Sequence, residues 1–138
     1  MKRLKNQSFN IDLHIYPYTI YVVIGNPKLF RDCMDKIWKK PEEDIIIGWI
    51  ETLEKRQKEG CFATTYHLES NDIIIFFAQP SIPKESPANF HNYIAHEIFH
   101  ATSYVMQTIN MPLGEDSEEA FAYLIGYITE QFYNQLKK

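Results

Sequence analysis

The chain has 138 residues, 45% of them hydrophobic and 23% charged, which is the make-up of one folded domain and excludes a disordered chain. Fourteen basic against eighteen acidic side chains leave a net charge of −4, so the clustered basic face of a nucleic-acid binder is not expected. Two cysteines, Cys33 and Cys61, lie outside any C-x-x-C spacing, and no uncharged run is long enough for a membrane helix, so a cytoplasmic protein without disulfides is expected. The basic start Met1–Lys5 runs into Asn6, Gln7 and Ser8 instead of an apolar stretch, which argues against a signal peptide.

Residues 9 to 24 alternate, with Ile11, Leu13 and Ile15 on one side, and Pro17 interrupts them; this predicts a bent strand or a pair of strands. Pro27 is placed to start a helix carrying Leu29, Phe30, Cys33, Met34, Ile37 and Trp38, ended by Pro41. Glu42 to Glu59 reads as a second helix with Gly60 as its stop, although Ile45-Ile46-Ile47 suits a strand equally. Cys61–Leu68 alternates and Ile73–Phe77 is continuously apolar, so a hairpin is expected around the turn Glu69–Asp72. Ser86-Pro87 then opens a helix running to about Thr108, and after a break at Met111–Gly114 a last helix begins near Ser117. The pattern is α+β in a single domain spanning residues 1–138.

The chemistry sits in the first of the two long helices, as His96-Glu97-Ile98-Phe99-His100. Residues four apart stand one above the other on a helix, with Cβ atoms about 5–6 Å apart, close enough for two imidazoles to share one zinc ion. Glu97 is rotated about 100° from His96, so it flanks the ion, where it can act as general base toward a water held there. Ile94, Ile98, Ala101 and Val105 form an apolar stripe that would bury the opposite side; the same stripe would suit a plain core helix with two histidines on its outer face.

A zinc enzyme of this kind needs a third protein ligand. Ser103 and Met106 exclude the metzincin pattern, which wants glycine and histidine there. The downstream run Ser117-Glu118-Glu119-Ala120-Phe121-Ala122-Tyr123 on a second helix instead resembles the gluzincins, the thermolysin-like zinc metallopeptidases, in their minimal single-domain form. The resemblance implies a zincin-like fold: a small, mostly antiparallel sheet on the active-site helix, followed by a helix bearing the third ligand. It implies one Zn2+ ion held by His96, His100 and Glu119, with Glu97 as the base and a peptide or protein as substrate. Tyr123 stands where the family more often has Asp. Ala122 and Gly126, on the face of Glu119, suggest a close approach of the two helices, whereas Glu118 shares its face with Phe121 and Ile125. Tyr123 and Tyr127 are candidate donors to a developing oxyanion, and His67 and Tyr66 are placed to reach a cleft. Ile73–Phe77 is the expected edge for pairing with an extended peptide. The rival reading is a catalytically silent or latent zinc-binding module, its site closed by a segment such as Gln79–Asn89.

Overall fold

Asn26, Pro27 and the residues beyond them illustrate how local chemistry sets the elements. The Asn26 side chain accepts a hydrogen bond from the Leu29 amide at 2.9 Å, and Pro27, which has no amide proton to leave unpaired, occupies the first turn of the helix that follows. The computed structural model describes residues 5–37, 43–59, 62–68, 70–78 and 87–137. Their elements are β1 (Gln7–Asp12), β2 (Thr19–Gly25), α1 (Pro27–Ile37), α2 (Glu43–Lys58), β3 (Ala63–His67), β4 (Asp72–Ala78), α3 (Pro87–Thr108) and α4 (Glu118–Gln135). The expected helix ends at Pro41 and Gly60, and the segment 79–86, lie outside the described residues.

The alternating stretch at the start is a pair of strands. β1 and β2 run antiparallel with Phe9 opposite Val22 and Ile11 opposite Ile20, separated by a turn in which His14 has φ 52°. Glu43–Lys58 is a helix despite its isoleucine triplet: Ile46 and Leu53, seven residues apart, are buried, while Ile45 and Ile47 face outward. β3 and β4 form the expected antiparallel hairpin, with Thr65 opposite Ile75 and the turn residue Asn71 at φ 61°.

The sheet order is β1-β2-β4-β3, and β2 pairs with β4 in parallel. The sheet is therefore mixed, with two antiparallel ladders flanking a parallel one, and the outcome differs from the sequence expectation at one functional point. β4 is interior, and the two edge strands are β1 and β3. The unbroken apolar run of Ile73 to Phe77 has its physical reason in this position. Ile73, Ile75 and Phe77 enter the core under α3 and α4, whereas Ile74 and Phe76 enter the core under α1 and α2. A strand buried on both faces needs no polar alternation. The result is three layers, with two helices on each face of one sheet.

α3 lies over β3 and β4 and seats Phe90, Ile94, Ile98, Ala101 and Val105 in the core. α4 packs beside α3 and over β1, with Phe121, Leu124, Ile128 and Phe132 facing inward. It is fastened to β1 by Gln135, whose amide donates to the Asn10 carbonyl at 2.8 Å, and by Tyr127, whose hydroxyl donates to the Asp12 carbonyl at 2.9 Å. In the turn before α4, Ser117 Oγ donates to the Pro112 carbonyl at 2.6 Å and accepts from the Gly114 amide at 3.0 Å.

Candidate metal and catalytic site

Burial of the Ile94–Val105 stripe fixes the rotation of α3, and that rotation alone turns His96 and His100 outward. Both histidines are exposed, and their Nε2 atoms lie 3.0 Å apart with the rings edge to face. Two nitrogens bound to one tetrahedral ion at ~2.0–2.1 Å stand roughly 3.3–3.4 Å apart. The pair is thus a few tenths of an ångström from chelating geometry, a distance that small rotations of exposed rings supply. The two nitrogen donors suit zinc as well as geometry does, since imidazole is among its preferred ligands.

Glu97 points elsewhere. It is 5% exposed and lies under β3, where Thr65 Oγ1 donates to the Glu97 Oε2 at 2.6 Å and sits 3.2 Å from the Glu97 main-chain carbonyl oxygen. No described residue donates to Oε1. Strand alternation puts Ala63, Thr65 and His67 on the side of β3 that meets α3. The seam between strand and helix accordingly has three rungs. Phe62, just before β3, packs on Tyr93 with ring centres 5.9 Å apart; Thr65 holds Glu97; and His67 stacks on Tyr104 at 5.1 Å with the rings 21° from parallel. His67 also approaches Tyr18, whose ring lies 6.0 Å away and whose buried hydroxyl has no hydrogen-bond partner among the described residues. Tyr66 faces the other layer, stacked on Trp49 at 5.0 Å.

The structure puts His96 and His100 side by side on the outer face of α3 and turns the Glu97 carboxylate away beneath β3, and among the described residues it does not bring Glu119 to the pair. Glu119 stands two residues, about 200° of helical rotation, from the buried Phe121. It lies on an open outer surface with Ala122, Tyr123, Gly126, Tyr127 and Glu130, none of them on α3. The packing argument for it is corrected as well. A side chain added at Gly126 would meet nothing within 4 Å, so the small residues do not mark a close approach of helices. Among the described residues, no three His, Cys, Asp or Glu side chains converge to hold an ion.

Tyr123 is 77% exposed, and with Tyr127 it borders an apolar hollow against Leu13–Tyr16, on the β1 side of α4. Both tyrosines, the candidate oxyanion donors, line the Glu119 side of α4 and neither is among the residues of the seam between β3 and α3. His91 is occupied with α4, its Nδ1 hydrogen-bonded to the Tyr133 hydroxyl. Burial raises the Tyr133 phenol above its ordinary value. His14 remains exposed beside Asp12 at 3.8 Å. Motif reading passes over Thr65, the residue that meets Glu97, and period-two alternation along β3 is the signal that puts it opposite the helix.

Compared with models of protein families, with curated proteins and with solved structures, the chain finds no match.

Proposed function

We propose that this chain is a zinc-dependent metallopeptidase, with His96 and His100 as the metal-binding pair and Glu97 as the general base. The observation that carries the reading is the imidazole pair, Nε2 to Nε2 at 3.0 Å on an exposed helix face, with Glu97 the next residue after His96 in the motif. A bound zinc ion would supply Lewis acidity toward a scissile carbonyl. Glu97 would take a proton from the attacking water on its free Oε1 and deliver it to the departing amine. The edge position of β3 favours an extended peptide as substrate, because a strand added there lies along the seam that contains Glu97. The geometry supports a two-histidine chelate and leaves the assignment of Glu119 as third ligand resting on the gluzincin resemblance alone.

The test is Glu97→Gln in zinc-loaded protein against mixed peptide substrates. Hydrolysis should fall by orders of magnitude with zinc content unchanged. If the purified chain with zinc shows no hydrolysis that this substitution abolishes, the enzyme reading fails.

One observation favours the rival, a zinc-binding module that turns nothing over: the described residues hold only two converging metal ligands. A module would bind zinc through the same pair and show no turnover that depends on Glu97.

A further inference from the structure

We infer that Thr65 is a positioning residue that aims the Glu97 carboxylate. The inference rests on the peptidase reading and deepens it, since it names the group that orients the base. A threonine hydroxyl has one proton to give. Here the 2.6 Å contact is the donation to Oε2, and the main-chain oxygen of the same glutamate lies 3.2 Å away. One hydroxyl therefore touches both ends of the Glu97 side chain. That contact fixes the carboxylate relative to the helix backbone from which His96 and His100 also project. With Oε2 engaged and Oε1 without a donor among the described residues, the two oxygens are no longer equivalent. Oε1 is the one left to accept a proton.

Placement on β3 gives the arrangement its consequence. The strand is held to β4 by a continuous antiparallel ladder, so Thr65 is a rigid support. A glutamate side chain without such a support samples several rotamers, and a carboxylate displaced by about 1 Å forfeits on the order of 10²-fold in rate. Thr65 touches neither imidazole in the structure, so its contribution should be separable from metal binding.

Thr65→Val keeps the β-branched shape and removes the hydroxyl; Thr65→Ser keeps the hydroxyl. The zinc-loaded protein should show kcat on a quenched-fluorescence peptide mixture reduced ~10- to 100-fold in Thr65→Val. KM should stay within about twofold, bound zinc should be unchanged, and Thr65→Ser should recover most of the loss. A readout without turnover accompanies this. In metal-free protein, the melting shifts of Thr65→Val and Glu97→Ala should be non-additive in the double variant, because the two remove one contact. Wild-type hydrolysis that Glu97→Gln abolishes but Thr65→Val leaves untouched overturns the role of Thr65 and spares the peptidase reading. Additive melting shifts also overturn it. Absence of any Glu97-dependent hydrolysis in the wild type overturns both.

Discussion

Zinc should stabilise this protein through α3 alone. A ligand that binds only the folded state adds about 2.7 kcal/mol when its free concentration is a hundred times its dissociation constant. With an unfolding entropy near 2.1 cal/mol/K per residue, a chain of 138 residues unfolds with roughly 0.29 kcal/mol/K, so the added stability raises the melting temperature by about 9 °C. The perturbations are His96→Ala, His100→Ala, Glu119→Ala and Glu118→Ala, each scanned by calorimetry with zinc and with chelator. Either histidine substitution should erase the shift, because a lone imidazole on an exposed helix face has no second donor. Glu119→Ala and Glu118→Ala should leave it within about a degree by the same arithmetic, since Glu119 stands on the outer surface of α4. The metal-free protein should stay folded at room temperature, its two cores being complete without an ion. Loss of the shift in Glu119→Ala to the same extent as in His96→Ala would refute the reasoning, because that carboxylate would have to leave the face on which it stands.

Further outcomes follow from the packing around the site. Ile98→Ala empties a fully buried position next to Glu97 and should lower stability by ~2–5 kcal/mol, a fall in melting temperature of roughly 7–17 °C by calorimetry. Ser117→Ala removes the hydroxyl that joins Pro112 to Gly114 and should lower stability by about 1–2 kcal/mol in a urea titration. Above pH 10.0 the protein should lose stability progressively. Burial, and for Tyr21 also the Asp72 carboxylate, holds the Tyr21 and Tyr133 phenols protonated after their unfolded counterparts ionise, so the unfolded state sheds more protons as pH rises. Tyr21→Phe and Tyr133→Phe should each flatten that decline in denaturant midpoints measured between pH 9 and 11.

What the sequence made legible was local. The spacing of His96 and His100 and the stripe from Ile94 to Val105 are both properties of one helix, and burial of the second turns the first outward. The edge of the sheet was not legible, because strand order depends on pairings between residues some fifty positions apart, such as Val22 with Ile75. The continuous apolar run of β4 did carry a clue, since burial on both faces implies a neighbour on both sides. The rotation of α4 was legible too, had its large residues been weighed ahead of its small ones. Phe121, Leu124, Ile128 and Phe132 define a single inward stripe, and Glu119, Ala122, Tyr123 and Gly126 lie off it. Small residues on a helix indicate close packing only where another element covers them, and no described residue comes within 4 Å of a side chain added at Gly126. Tyr127 gave no sign in sequence that its hydroxyl would be spent on the Asp12 carbonyl, a bond across 115 residues.

Thr64 and Thr65 are adjacent and chemically identical, yet the strand gives them opposite sides of the sheet. Thr65 reaches Glu97, while Thr64, 8% exposed, donates to the Ala63 carbonyl at 2.7 Å. If sidedness rather than composition of the edge strand connects the fold to the site, the two must respond differently to the same substitution. Thr64→Val keeps the shape, gives up the hydrogen bond to the Ala63 carbonyl, and leaves Glu97 supported by Thr65. Its melting temperature should move by no more than a few degrees, the equivalent of about 1 kcal/mol, and its peptide hydrolysis should match wild type. Thr65→Val should depress kcat and also lower the melting temperature, because it strips the buried Glu97 carboxylate of its donor. The register of β3 on β4, Thr64 opposite Phe76 and Thr65 opposite Ile75, is what keeps the assignment from slipping by one residue. Equal depression of turnover by both valines would mean that β3 acts only as a generic wall, and that no particular side chain on it aims the carboxylate.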